Sequence, residues 1–154
     1  MSGMQDSLRE LYQEVIFDHN RNPRNYRPLP AANHHADGHN PLCGDQLTVY
    51  LQVEDGIVRD SSFVGHGCAI STASASLMTE AVKGKPVAEV EALFRDVHAL
   101  LTEGREAADP ARDFGKLEVL SGVKEFPARV KCATLAWHTL HNALVGEHET
   151  AHTE

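Results

Sequence analysis

Three cysteines and one aspartate offer the clearest chemistry in this sequence. Cys43 and Asp45 share a short turn that contains proline and glycine, so both side chains can point towards one place. Cys68 lies between a predicted strand and a predicted helix, where free backbone amides and the helix dipole favour a thiolate. Cys132 lies near the start of the last predicted helix. Three thiolates and one carboxylate complete a four-coordinate set of the kind that zinc accepts.

A simpler interpretation of each thiol stays open at this point. A free cysteine is among the most buried residue types, so Cys132 alone fits a core position as well as a metal site. Cys43 is harder to explain as core, because its turn carries no apolar pattern. The cysteine spacings contain no C-x-x-C pair and match no zinc-finger pattern. As the hardest of the four ligands, the Asp45 carboxylate is expected to exchange most readily.

Arg129 and several histidines are further candidates near the thiols. Arg129 precedes Cys132 by three residues, on the same side of the predicted helix. It either pairs with a thiolate or carboxylate at the site, as a catalytic residue would, or is a surface arginine. Loop histidines usually bind nothing specific, so four histidines are weaker candidates for metal ligands, one of them also for a base: His34, His35, His39 and His66.

The charge balance excludes one broad class of function. The chain has 154 residues, with 14 Lys and Arg against 22 Asp and Glu, which gives a formal net charge of −8. Without a dense basic block, general nucleic-acid binding is excluded. No apolar run approaches the roughly 18–20 residues of a membrane span, and the acidic N-terminus lacks a secretory signal. We therefore expect a cytoplasmic protein without a membrane partner, in a compartment where disulfides are rare.

Two strands follow the turn that holds Cys43. Apolar residues alternate over 46–54, which predicts a half-buried strand, and residues 57–64 are predicted to return as the second strand of a hairpin. Glu54-Asp55-Gly56 between them is typical of a hairpin turn. The preceding stretch, 27–42, is predicted as loop with one short strand before Asn40.

Helical spacing of apolar residues predicts the remaining elements. Helices are expected over 5–19, 69–83, 86–102, 114–120 and 127–145. A small antiparallel sheet of about three strands followed by a run of helices makes an α+β domain. One domain is predicted over 1–146. The tail, 147–154, has no apolar face and is predicted to be disordered.

Three motifs in this order resemble the SufU branch of the IscU-like iron–sulfur cluster assembly family. The motif residues lie in the segments 40–45, 67–76 and 129–137. The opening segment, 11–25, also fits, and the similarity extends over about residues 8–145. The resemblance implies the small antiparallel sheet and packed helices of that family.

Three departures separate the sequence from the scaffold branch of that family. Scaffolds of the IscU type carry a histidine directly before the third cysteine, where this chain has Lys131. Their Leu-Pro-Pro-Val-Lys signal for a chaperone is missing from the stretch 125–131. The interval between Cys68 and Cys132 is also longer, and the additional residues fall between 83 and 113. All three departures resemble SufU.

The resemblance implies a zinc-dependent sulfurtransferase that acts with a cysteine desulfurase. In SufU-like proteins three Cys and one Asp hold zinc, which maps the ligands onto Cys43, Asp45, Cys68 and Cys132. The partner is a pyridoxal-phosphate desulfurase of the SufS type, and Cys43 accepts its persulfide sulfur for delivery to downstream iron–sulfur scaffold proteins. Two alternatives remain: a scaffold that holds a nascent iron–sulfur cluster on the three cysteines, and a purely structural zinc module.

Overall fold

The computed structural model describes residues 13–104, 108–109, 111–146 and 151–152. A helix over 13–21, α1, leads into strands β1 (His34–Asn40), β2 (Asp45–Glu54) and β3 (Ile57–His66). There follow α2 (Ala69–Val82), α3 (Val87–Thr102), a 3₁₀ helix (Gly115–Glu125), α4 (Pro127–Val145) and the two-residue strand β4 (Ala151–His152). No helix in this part of the chain is both long and apolar enough to cross a membrane.

The sheet is built around β2, which pairs antiparallel with β1 on one side and β3 on the other. Asn40 lies opposite Asp45, and Gln46 lies opposite His66, so the turn after β1 and the end of β3 meet at the same end of the sheet. Asp55 turns the chain between β2 and β3 with a φ of 54°. The predicted α+β architecture with a small antiparallel sheet is therefore confirmed.

Helices cover one face of the sheet because apolar residues alternate along the strands. Leu47, Val49 and Leu51 of β2 are buried, and the residues between them are more exposed. α4 packs across β1 and β2, α2 packs against α4 and β3, and both α3 and the 3₁₀ helix pack against α4. Ser74 of α2 accepts a hydrogen bond from Trp137 Nε1 at 3.2 Å, so a small polar residue and a large ring fit together in the core.

Most element boundaries agree with the predicted ones, and two regions differ. The 3₁₀ helix, Gly115–Glu125, runs beyond the helix predicted over 114–120. β4 arises from the predicted disordered tail, where Ala151–His152 pair in parallel with Gly38 and His39 of β1. The other residues of that tail, and the predicted helical residues 5–12, lie outside the described part of the chain.

Two histidines are partly or fully buried in the fold. His19 on α1 is 1% exposed, and its Nδ1 lies 2.7 Å from Ser76 Oγ. His138 on α4 packs against Phe94 and His98 of α3, with ring centroids 5.6 and 5.4 Å apart. Burial lowers the pKa of both imidazoles, and nearby basic groups act in the same direction.

We predict that the unfolding free energy of the metal-free protein falls as the pH drops below about 6.5, the ordinary pKa of histidine. A lowered pKa in the folded state means that the unfolded chain binds more protons there, with a slope of at most about 1.4 kcal/mol per pH unit for each group. In urea unfolding, His138→Gln should reduce this slope, and His35→Gln provides an exposed control. An equal slope in His138→Gln and the unmodified protein would contradict the prediction.

Candidate metal centre

The turn between β1 and β2 carries two of the predicted ligands. β1 ends at Asn40 and β2 begins at Asp45, so residues 41–44 reverse the chain. The backbone N–H of Cys43 donates to the Asn40 carbonyl at 3.3 Å, and Gly44 has a φ of 71°, which glycine adopts without strain. Cys43 is consequently exposed, and Asp45 is fully buried.

α4 places a third predicted ligand beside this turn. Cys132 is fully buried on α4, and its Sγ lies 3.3 Å from the Sγ of Cys43. The ligand atoms of Cys43, Asp45 and Cys132 all lie within 4.8 Å of one another. Neighbouring ligand atoms of a tetrahedral zinc site are about 3.3–3.8 Å apart, since zinc bonds measure about 2.0–2.3 Å. The three donors are thus close enough to converge on a single ion with small adjustments.

Asp45 is held in place by two hydrogen bonds. Its Oδ1 accepts from the backbone N–H of Cys68 at 2.8 Å, and its Oδ2 accepts from Asn40 Nδ2 at 3.3 Å. A fully buried carboxylate with two donors is not free to swing away. The expectation that Asp45 is the most exchangeable ligand is therefore not favoured by the structure, in which Cys43 is the exposed member of the set.

Cys68 lies next to the three converging groups but outside their 4.8 Å cluster. It precedes α2 as the N-cap residue, and its Sγ accepts from the backbone N–H of Ser71 at 3.5 Å. The predicted position at a helix start, facing free amides, is confirmed. Three of the four predicted ligands thus converge, and the fourth is tied to them through the hydrogen bond from its amide to Asp45.

The chemistry of the donor set fits a soft divalent cation. Burial raises the pKa of the Cys132 thiol, and contacts with Cys43, Cys68 and Asp45 raise it further. Two thiols and a carboxylate this close cannot all be charged without a positive partner. A zinc ion held by Cys43, Asp45 and Cys132, with Cys68 as the adjacent fourth donor, would supply that charge.

The remaining sequence candidates are not among the three converging groups. Arg129 is exposed on the first turn of α4, and its side chain forms no ion pair with any described residue. Its catalytic role stays a prediction. His66 is exposed at the end of β3, and His34 Nδ1 lies 2.9 Å from the Ala143 carbonyl oxygen, at the far end of β1.

Two residues beside the ligands were not singled out from the sequence. Asn40 is fully buried and bonds two ligands, although in the sequence it appears only as part of a turn. Gly67 lies against Asp45, and a Cβ at this position would come within 2.5 Å of Asp45 Oδ1. The position of Gly67 directly before Cys68 was a usable signal in the sequence. Only the folded chain shows that the Asp45 side chain requires a glycine there.

We predict that Gly67→Ala weakens zinc binding by about 10–100-fold, the usual effect of disturbing a residue that orients a metal ligand. The added methyl group would displace the Asp45 carboxylate, which has little freedom to move. Gly122→Ala is the matched control, because nothing lies within 4 Å of a Cβ at that position. Competition with a chromophoric chelator measures both variants, and equal affinities would show that the contact does not matter.

The amino-acid sequence is similar to those of known proteins. Residues 11–145 match the family of NifU-like N-terminal domains. The chain is 42% identical over 141 residues to the zinc-dependent sulfurtransferase SufU of Bacillus subtilis, covering 92% of this chain and 94% of that protein. It is also 42% identical over 137 residues to the iron–sulfur cluster assembly scaffold protein IscU of Thermotoga maritima, covering 87% of this chain and 92% of that protein.

Solved structures share the fold. A crystal structure of a protein without an assigned function superposes with a TM-score of 0.81 at 36% identity, covering 88% of this chain and 98% of the other. A candidate iron–sulfur cluster assembly scaffold protein for the SUF system from Fervidobacterium islandicum superposes with a TM-score of 0.77 at 31% identity, covering 85% and 94%. The similar proteins therefore include both a named sulfurtransferase and named scaffolds.

Proposed function

Because the chain belongs to the family of NifU-like N-terminal domains, together with SufU and IscU proteins of iron–sulfur cluster assembly, we propose that it is a zinc-dependent sulfurtransferase. It accepts persulfide sulfur on Cys43 from a SufS-type cysteine desulfurase in the cytoplasm. The sulfur then passes to the proteins on which iron–sulfur clusters are built. The name of the Bacillus relative supports the zinc dependence and the transfer activity.

The observation that carries this proposal is the contrast among the three converging ligands. Cys43 is exposed on a turn, whereas Asp45 and Cys132 are fully buried on a strand and a helix. A sulfur acceptor must be reached by another protein, and the groups that keep the site together must stay in place. The arrangement meets both requirements with one exposed thiol and two fixed ligands.

The proposed reaction is an exchange at sulfur. The Cys43 thiolate attacks the outer sulfur of the persulfide on the desulfurase cysteine. A new S–S bond forms at Cys43, the S–S bond to the desulfurase cysteine breaks, and that cysteine leaves as a thiolate with the electron pair. Cys43 then carries the persulfide, and the pair of proteins undergoes no net oxidation.

The chain's own residues prepare Cys43 for this exchange. All four residues of the Pro41–Gly44 turn are exposed, so outward movement of Cys43 disturbs little packing. Zinc, when bound, keeps its sulfur ligands deprotonated at neutral pH. We further propose that Arg129, exposed on the first turn of α4 three residues before Cys132, attracts the anionic persulfide.

Desulfurase turnover measured with and without this protein tests the proposal. Cysteine, a SufS-type enzyme and excess reductant are supplied, and alanine formation is followed together with the zinc content of the added chain. We expect about one zinc per chain and faster alanine formation. A zinc-loaded chain that leaves the rate unchanged would exclude the sulfurtransferase function.

A scaffold function is the second candidate, because the Thermotoga relative of equal identity is named a scaffold. Anaerobic reconstitution with iron and sulfide separates the two functions. A scaffold would yield a stable brown protein with bound cluster, above all in Asp45→Ala. We expect neither the unmodified protein nor Asp45→Ala to retain a cluster, since Lys131 stands where IscU scaffolds carry a histidine.

A further inference from the structure

Asn40 lies beside the candidate ligands, and the proposed reaction assigns it no role. It is the last residue of β1, and its side chain is fully buried at the end of the sheet where the candidate ligands meet. Its Nδ2 lies 3.3 Å from Asp45 Oδ2 and 3.7 Å from Cys132 Sγ, within the longer limit for hydrogen bonds to sulfur. One amide group therefore contacts both of the buried ligands.

The orientation of this amide follows from its neighbours. A carboxylate oxygen and a ligand sulfur both act as acceptors, so the nitrogen, and not the oxygen, must face them. Asn40 Oδ1 is buried and has no hydrogen-bond partner among the described residues. Buried polar atoms normally have a hydrogen-bond partner. The two contacts of the nitrogen therefore determine the orientation of this side chain, although its oxygen is left without a hydrogen bond.

The backbone of the same residue contacts the third ligand. The Asn40 carbonyl accepts from the N–H of Cys43 at 3.3 Å, which closes the turn. Asn40 thus holds Asp45 and Cys132 by side-chain hydrogen bonds and Cys43 by one main-chain bond. Within the described chain, no side-chain donor other than the Cys132 thiol reaches the Cys43 sulfur.

We propose that Asn40 is a positioning residue that fixes Asp45 and Cys132 as the retained ligands and leaves Cys43 as the one that departs. Its two N–H groups donate to the buried carboxylate and thiolate. Hydrogen bonds to charged acceptors are stronger than neutral ones, so both ligands are held firmly in place. The main-chain bond to Cys43 breaks when the turn opens, and the side-chain bonds do not depend on the turn. The inference rests on the proposed function in taking Cys43 as the sulfur acceptor.

Three variants test this role. Asn40→Ala removes the donors, and Asn40→Asp keeps the shape but places an acceptor against Asp45. Ser62→Ala is the matched control, because Ser62 is another fully buried β-strand residue whose side-chain oxygen has no hydrogen-bond partner among the described residues, and it pairs with Tyr50, away from the turn. Zinc affinity is measured by chelator competition, and iodoacetamide labelling followed by mass spectrometry gives the Cys132-to-Cys43 labelling ratio, with and without zinc.

We expect Asn40→Ala to weaken zinc binding by about 10–100-fold and to raise the labelling of Cys132 relative to Cys43. Asn40→Asp should show the larger effect, and Ser62→Ala should change neither quantity. An unchanged ratio in both Asn40 variants, or an equal rise at Cys68 that indicates general unfolding, would overturn the inference. If the unmodified protein binds no zinc, the proposed function fails, and the labelling ratio of the metal-free variants still decides the role of Asn40.

Discussion

Cys43→Ser should bind the desulfurase normally but no longer accelerate it. Serine is nearly isosteric with cysteine and the position is exposed, so neither the turn nor the binding of the desulfurase should change. The serine hydroxyl is far less acidic than a thiol and cannot accept sulfur as a persulfide. We expect the stimulation of alanine formation to fall by at least about 100-fold, as in other losses of an attacking nucleophile.

Mass spectrometry under the same conditions identifies the acceptor. The unmodified protein should gain about 32 Da, one sulfur atom, on the peptide that contains Cys43. Cys68→Ser and Cys132→Ser are the comparison variants, and they should lose activity together with zinc, because their side chains lie at the N-cap of α2 and in the core. Full stimulation by Cys43→Ser, or a persulfide found only on another cysteine, would falsify the assignment.

Local patterns were sufficient to predict most of the fold. Alternation identified β2, the hairpin turn after it identified β3, and Pro127 marked the first turn of α4, because these signals depend on residues close in sequence. The 3₁₀ helix was predicted too short, since its segment has no strong apolar period. The β4 pairing was missed because a two-residue strand leaves no pattern of its own.

The candidate site was predictable in its residue types but not in its division of roles. Cysteines are rare enough to stand out, and the turn chemistry around Cys43 separated it from core positions. Asp45 was expected to be the most exchangeable ligand, because a carboxylate is harder than a thiolate. Its burial follows from three residues that meet only in the folded chain: Asn40, Gly67 and Cys68.

Removal of zinc should lower the melting temperature by about 8–16 °C when the loaded sample contains free zinc at 1,000 times the dissociation constant. Binding to the folded state alone stabilises it by about 4 kcal/mol at that ratio. For a chain of this size, each kcal/mol corresponds to about 2–4 °C. Without the ion, two close thiols and a buried carboxylate lose their positive partner. Differential scanning calorimetry before and after treatment with a chelator measures the shift.

The zinc-dependent shift in melting temperature, measured in three variants, shows which residues bind the ion. Cys132→Ser should abolish the shift, because Cys132 is a fully buried ligand fixed by α4. Cys43→Ser should keep part of it, since Asp45, Cys68 and Cys132 remain and water can take an exposed coordination position. His138→Gln should keep all of it, which separates the thiol site from the histidines packed between α3 and α4. An equal loss of the shift in Cys43→Ser and Cys132→Ser would mean that the exposed cysteine binds zinc as firmly as the buried one. A ligand bound that firmly is not free to leave the site and accept sulfur, so this result would contradict the role of Cys43.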